Sequence, residues 1–325
     1  MVLRAVCDAD ESLARRFGTF YDAERIYLDY DEMLNDESLD AVIIAISDAF
    51  HVPAARKAIA AGKHVLCEKP LGVTVEEVKS LAEDVRKTGL VLQVGHMLHF
   101  DPGIEATRTF IDEEMGQMLA LKAWYCDSTH RYEMTDAVQP LPRFGAKALK
   151  PKGDPKANRA QYYMLAHGCH LADLARYLGG PITAVRARLL ERFGAYCWFV
   201  ETEFANGMLG HLDLTVAVRM DWFEGFQIHG EKGSAVGKIF NPWYYKSSEV
   251  DIFHEKDAST SRVLGADGQF YRRQLEGFAD TILRGVPMRG ANVEDGLASV
   301  QAMVAIARSV DSGERIELAT VVGPV

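Results

Sequence analysis

Glu68-Lys69-Pro70 places a carboxylate and an ammonium side by side where a short apolar run, Val65-Leu66-Cys67, stops. That run suits a strand covered on both faces, and Pro70 ends it because proline has no N–H for a ladder. Ligands in open α/β sheets collect at the carboxyl ends of strands. An ammonium there points into a crevice where burial and a neighbouring charge tune its pKa, which suits it to steady an oxygen that develops charge. A solvated ion pair, worth little, is the plain alternative. A second cluster of reactive types is His167-Gly168-Cys169-His170, followed by Asp173. Positions i, i+2 and i+3 of a helix do not converge on one metal, so no metal site is expected.

Residues 2–95 supply the elements that position Lys69, in strand–helix alternation. Val2 to Cys7 reads as a strand ending at Asp8, and Asp10 caps a helix, Glu11 to Phe17, which Gly18 closes. Ala41-Val42-Ile43-Ile44-Ala45-Ile46 is the clearest buried parallel strand. An alanine-rich helix, His51 to Ala61, stops at Gly62, and Thr74 caps a helix that buries Val75, Val78, Leu81, Ala82 and Val85. Leu90 to Val94 is a further strand. The alternation implies a parallel, doubly wound sheet with right-handed crossovers.

After Asp101-Pro102 the pattern changes. A helix from Gly103 to Glu114 leads to a strand from Met118 to Cys126, then to a polar stretch, 127–160, carrying Pro140, Pro142, Pro151 and Pro155. Such a stretch is more often a lid or binding loop than a linker. Helix 162–178 follows, then strand-like segments near 182–192, 197–205, 207–217, 222–230 and 234–240. Asn206-Gly207 is a hairpin turn signal. Helices near 270–284 and 293–311 close the chain. The expected fold is α/β: a Rossmann-like parallel sheet over 1–100 and an α/β domain with an open, mainly antiparallel sheet over 101–325.

With 325 residues, 48% hydrophobic and 25% charged, the chain has the composition of a two-domain globular protein. Its formal net charge of −10 argues against a nucleic-acid surface. Five scattered cysteines form no disulfide framework and point to a reducing, cytoplasmic compartment. No apolar run is long enough to span a bilayer.

A dinucleotide fold normally opens with a strand, a glycine-rich turn and a helix before the strand whose terminal acid holds the adenosine ribose. No G-x-G-x-x-G precedes residue 101, and no glycine precedes Gly18. Asp8 fits the ribose-binding acid, or a helix cap. Met1 is therefore read as an internal start, with about 30 residues of a first βα unit missing. Because the missing strand is central in the usual order, unpaired backbone groups are expected inside the sheet.

Several segments together resemble the Gfo/Idh/MocA family of NAD(P)-dependent oxidoreductases: Leu39 to Ala45, His51 with Ala54-Ala55 and Ala58, Ala61 to Leu71, and Gln93-Val94-Gly95-His96-Met97-Leu98-His99-Phe100-Asp101-Pro102. The likeness extends to His170-Leu171-Ala172-Asp173-Leu174 and to Gly230-Glu231-Lys232-Gly233-Ser234. It implies a nicotinamide domain followed by a domain whose sheet binds substrate on one side and a second subunit on the other, giving a homodimer or homotetramer. It implies that Lys69 touches both the nicotinamide and a substrate hydroxyl, that His170 is the general base, and that Asp173 orients its helix. Ser47, His51 and Glu68 join Asp8 and Lys69 as cofactor contacts; His96 and His167 join Lys69 and His170 as substrate contacts.

The implied chemistry is coherent. Oxidising a secondary alcohol removes a hydride from carbon and a proton from oxygen, so a group titrating near neutrality must reach the hydroxyl. Histidine has that property, and an ammonium nearby steadies the developing alkoxide. Asp8 favours NAD, with NADP possible, because a carboxylate accepts from a free 2′-hydroxyl and repels a 2′-phosphate. The substrate is expected to be a polyol, sugar or sugar derivative. Two departures bear on its class: Ala166 replaces a common aspartate four residues before the histidine, and His99 replaces a common arginine. The basic residues and tyrosines of 127–160, such as Arg131 and Tyr132, suit a hydroxyl-rich or anionic ligand as well as a solvated loop. A non-catalytic sugar- or partner-binding member of this fold, and a lyase or hydrolase using transient oxidation by bound NAD, are the rival readings.

Overall fold

A computed structural model describes residues 1–128, 156–264 and 268–325. The first part contains β1 (Ala5–Cys7), α1 (Glu11–Phe20), β2 (Arg25–Tyr27), α2 (Tyr30–Leu34), β3 (Ala41–Ile44), α3 (His51–Ala60), β4 (His64–Cys67), α4 (Val75–Arg86) and β5 (Leu92–Val94). Asp10 caps α1 by accepting from the Ser12 N–H, and Thr74 with Glu77 forms a capping box on α4. Gly18 does not end α1, as its type suggested. It lies inside the helix because a Cβ there would sit 2.6 Å from Ile26 Cδ1, so the glycine serves a close approach.

β3, β4 and β5 pair in parallel. β1 and β2 form a separate parallel pair. Among the described residues no ladder joins β1 to β3, so the parallel strands stand in two pieces. Ile43 and Ile46, in the most apolar segment of this region, are correspondingly exposed at 47% and 52%.

The second part begins with α5 (Pro102–Glu113), capped by Asp101, and β6 (Met118–Ser128). Asp101 is fully buried and also accepts from the backbone and hydroxyl of Ser248, which pins the start of α5 to a distant loop. The expected helix 162–178 is interrupted: α6 (Arg159–Tyr163) passes through one π turn, Met164–Gly168, into α7 (Cys169–Gly179). Then come β7 (Ile182–Arg192), β8 (Ala195–Phe204), β9 (Leu209–Val218), β10 (Phe223–Gly230), β11 (Gly233–Ile239), β12 (Glu249–His254) and β13 (Ser259–Arg262). The chain closes with α8 (Phe270–Arg284), β14 (Ala291–Asn292), α9 (Val293–Ser312) and β15 (Ile316–Glu317).

The large sheet has the order β13-β12-β11-β10-β6-β9-β8-β7-β15, antiparallel throughout except for the β6–β9 pair. Gly207, at φ 83°, makes the expected turn between β8 and β9. Strands β12 and β13 were not anticipated; β13, Ser-Thr-Ser-Arg, is exposed at every position and has no apolar alternation to read.

Inward residues of the sheet, among them Leu121, Trp198, Val200, Leu212 and Leu214, share one core with Leu171 and Leu174 of α7 and Val304 of α9. α9 also reaches the parallel sheet, where Gly296 packs against Leu71 and Val94, and β14 lies antiparallel beside β5. The opposite face of the large sheet presents exposed Phe199, Phe223, Val236 and Phe253.

Candidate active site

The carboxyl ends of β3 and β4 are tied together before any side chain reaches the cleft. Glu68 N–H donates to the Ile44 carbonyl at 2.9 Å, and the buried His51 ring lies within hydrogen-bond distance of two carbonyls, Pro70 at 2.7 Å and Ile46 at 3.0 Å. His51 thus stands between the two loops with one ring nitrogen toward each carbonyl. Ser47 stands at the head of the 3-10 turn Asp48–Phe50, its hydroxyl 3.4 Å from Asp48. Asp8 ends β1 and accepts from the Asp10 N–H at 2.8 Å. Glu68 accepts from the Lys69 N–H at 3.2 Å, so its carboxylate folds back on its own loop.

Lys69 is half-buried, and its ammonium crosses to the second part of the chain, donating to the Ala166 carbonyl at 3.2 Å. That carbonyl lies within the π turn, where the α-helical bonding pattern is interrupted. The turn therefore brings Lys69 within one helical turn of His170. His170 is 9% exposed; its ring stacks on Tyr125 at 5.9 Å with an interplanar angle of 12° and meets His96 edge-on at 6.4 Å. His167 is held between the Tyr125 hydroxyl, 3.1 Å from Nδ1, and Asp127, 3.4 Å from Nε2.

Behind these groups lies a buried carboxylate flanked by two imidazoles. His99 Nε2 is 3.0 Å and His96 Nδ1 3.5 Å from the same Asp173 oxygen. Burial disfavours the His99 imidazolium, but the charge and hydrogen bond of Asp173 more than reverse this and leave its pKa above the ordinary value. Burial dominates at His96 and pushes its pKa down to about 4. Burial also opposes the Asp173 carboxylate, yet the two histidines hold its pKa below the usual range. The result is a neutral His96 beside a His99–Asp173 ion pair.

Tyr125, Asp127 and Glu224 adjoin this candidate site and were not singled out in the sequence. Tyr125 and Asp127 continue the inward row of Leu121 and Ala123, and Glu224 sits directly opposite Tyr125 in the antiparallel register. The available signal was a carboxylate continuing the inward alternation of a strand, a place where charges are rare; ending the strand at Cys126 assigned Asp127 to a loop instead. Arg131, Tyr132, Arg143, Lys147, Lys150 and Lys152, the basic and aromatic residues proposed for a lid, lie outside the described residues. Lys156, at the margin, places its ammonium over the Tyr162 ring at 5.3 Å. Among the described residues no helix is long and apolar enough to cross a membrane.

An ammonium and an imidazole converging from two parts of the chain can bind one hydroxyl, stabilise its alkoxide and take its proton. Comparison with known proteins identifies a family of oxidoreductases. Residues 1–96 match an oxidoreductase family with an NAD-binding Rossmann fold, and residues 114–236 match the GFO/IDH/MocA C-terminal domain. The chain is 29% identical to inositol 2-dehydrogenase 2 of Saccharopolyspora erythraea, over 95% of this chain and 85% of that protein. It is 26% identical to levoglucosan dehydrogenase of Pseudarthrobacter phenanthrenivorans, over 80% of this chain and 70% of that one. The fold superposes on a levoglucosan dehydrogenase solved with NADH and levoglucosan, with a TM-score of 0.79 at 21% identity, covering 98% of this chain and 90% of that chain.

Proposed function

Because the chain belongs to the GFO/IDH/MocA family of oxidoreductases, we propose that it is an NAD-dependent dehydrogenase acting on a secondary alcohol of a sugar, cyclitol or sugar derivative. The observation that carries this reading is the Lys69–Ala166 hydrogen bond, which unites the Glu68-Lys69-Pro70 loop with the turn leading to His170. NAD, when bound, supplies the hydride acceptor. The residues present fit its two ends: Asp8 is a carboxylate at a strand end for the adenosine ribose, and His96, buried with no hydrogen bond at Nε2 among the described residues, lies beside Lys69 for the nicotinamide and substrate side. No glycine-rich phosphate turn lies between them in the sequence.

Lys69 holds the substrate hydroxyl and steadies its developing negative charge, and His170 accepts the hydroxyl proton. Tyr125, stacked on His170, fixes the plane of the ring. His167 and His96 contact the remaining hydroxyls, while Glu68, Ser47 and His51 shape the cofactor side. Residues 1–100 form the cofactor-binding domain and 101–325 the substrate domain. The exposed face bearing Phe199, Phe223, Val236 and Phe253 pairs with a second copy in a homodimer or homotetramer. The enzyme works in the cytoplasm. The test is a panel of inositols, anhydrosugars and aldoses with NAD and NADP, followed by absorbance of reduced nicotinamide. Turnover of a neutral polyol with NAD, lost in Lys69→Ala, is expected; full activity in that variant would overturn the assignment.

A further inference from the structure

Glu224 is 2% exposed, and its Oε1 makes no hydrogen bond among the described residues. It lies on the helix-facing side of β10, paired across the ladder with Tyr125, the residue that stacks on His170 and bonds to His167. Directly opposed residues on one face have Cβ atoms about 4.5–5.5 Å apart, so the Glu224 carboxyl is one side chain removed from the proposed base. An orphaned polar atom in the interior costs stability, and the cost persists in folds where a ligand relieves it.

We propose that Glu224 is a specificity-determining residue of this cleft, its carboxyl forming a hydrogen bond to an oxygen of the polyol held between Lys69 and His170. The inference rests on the function proposed above and names the class of ligand more narrowly: a neutral polyol with a hydroxyl or ether oxygen placed to accept. Burial pushes the carboxyl up to about 8; the charges of Asp101 and Asp127 act in the same direction and the Trp222 indole opposes them. Tyr125 faces it across the ladder from β6, and His167 of the π turn and His170 of α7 pack on that tyrosine. Near neutrality the group is therefore a carboxylic acid, able to donate as well as accept.

The test measures KM for the best polyol of the panel across a pH range spanning about 8, in wild type, Glu224→Gln and Glu224→Ala. Wild-type KM is expected to rise on the alkaline side as the carboxyl ionises, and Glu224→Gln, which donates but does not titrate, to remove that rise. Glu224→Ala is expected to raise KM about ten- to hundredfold at neutral pH. Superimposable KM profiles for wild type and Glu224→Gln would overturn the proposal even if the alanine variant fails to fold. Calorimetric titration of the NADH-loaded protein with the same polyols separates the two ideas. Binding that ignores both pH and Glu224→Gln overturns this inference alone, whereas no binding by wild type overturns it together with the function it rests on.

Discussion

The Lys69 ammonium donates to the Ala166 carbonyl at 3.2 Å, and in doing so fastens the loop after β4 to the turn before His170. Residue 166 is an alanine, so its backbone, not a side chain, receives the lysine. An ammonium has three donors, so in the proposed reaction a substrate hydroxyl can share it with that carbonyl.

Lys69→Ala is expected to lower kcat/KM by about a hundred- to a thousandfold, the scale of losing one preorganised donor. NADH affinity, read by fluorescence titration, should change far less, because the loss falls on the reacting oxygen. A variant with both constants near wild type would remove Lys69 from the mechanism.

His170→Gln keeps a polar side chain but cannot act as the base. The expected fall in kcat is about a hundred- to ten-thousandfold, together with loss of the acid limb in the rate of alcohol oxidation. An unchanged pH–rate profile would assign the proton transfer elsewhere.

The His96, His99 and Asp173 cluster makes stability depend on pH in opposite senses. His99 has a raised pKa, so its contribution is complete below about 6.5, the unfolded value, and is lost as pH rises through its folded value. His96 titrates at about 4 when folded, so stability falls as pH drops from about 6.5 towards that value, by up to about 3 kcal/mol. Asp173 is lowered, so its contribution is present above its ordinary pKa and lost as pH falls through the folded one. Denaturant unfolding across this range should show an acid slope that His96→Phe flattens. His99→Ala, which strands the buried carboxylate, should cost about 3–5 kcal/mol near neutrality.

At Gly296 a Cβ would lie 2.7 Å from Leu71 Cδ2 and 3.0 Å from Val94 Cγ2. Gly296→Val should therefore destabilise by about 1–3 kcal/mol through overpacking. Because Leu71 is two residues from Lys69, turnover should fall as well. A melting temperature and kcat both at wild-type level would show that α9 has room to move.

Phe199→Asp combined with Val236→Asp puts charge on the exposed sheet face without touching the core. Light scattering should then report a monomer, against the dimer or tetramer proposed for the parent. Identical masses for parent and variant would overturn the assignment of a subunit contact to this face.

Much of this architecture was legible because its signals are local. The apolar runs Ala41 to Ile46 and Val65 to Cys67 became the parallel strands Ala41–Ile44 and His64–Cys67, Asn206-Gly207 became the hairpin turn, and the boundaries of β7 and α8 came out as read. Features that depend on a distant neighbour were not legible. Gly18 looked like a helix stop because nothing nearby in the chain announces Ile26 as its packing partner. The π turn leaves no mark in a helical pattern that is apolar on both sides of it. Lys69 was found through the motif around it, whereas Glu224 became visible only when the β6–β10 register set it opposite Tyr125. The His99–Asp173 pair joins residues 74 positions apart, and neither periodicity nor spacing relates them.

A π turn holds one more residue than the α turn it replaces, and each residue of an α-helix advances its neighbours by about 100°. The single extra residue within Met164–Gly168 thus acts as an angular offset between α6 and α7. Deleting Leu165 would leave every catalytic side chain in the protein, yet rotate the two helical segments out of phase. How His167 and His170 are aimed is thus a matter of chain arithmetic as much as of residue identity, and a deletion that alters no chemical group should silence the site.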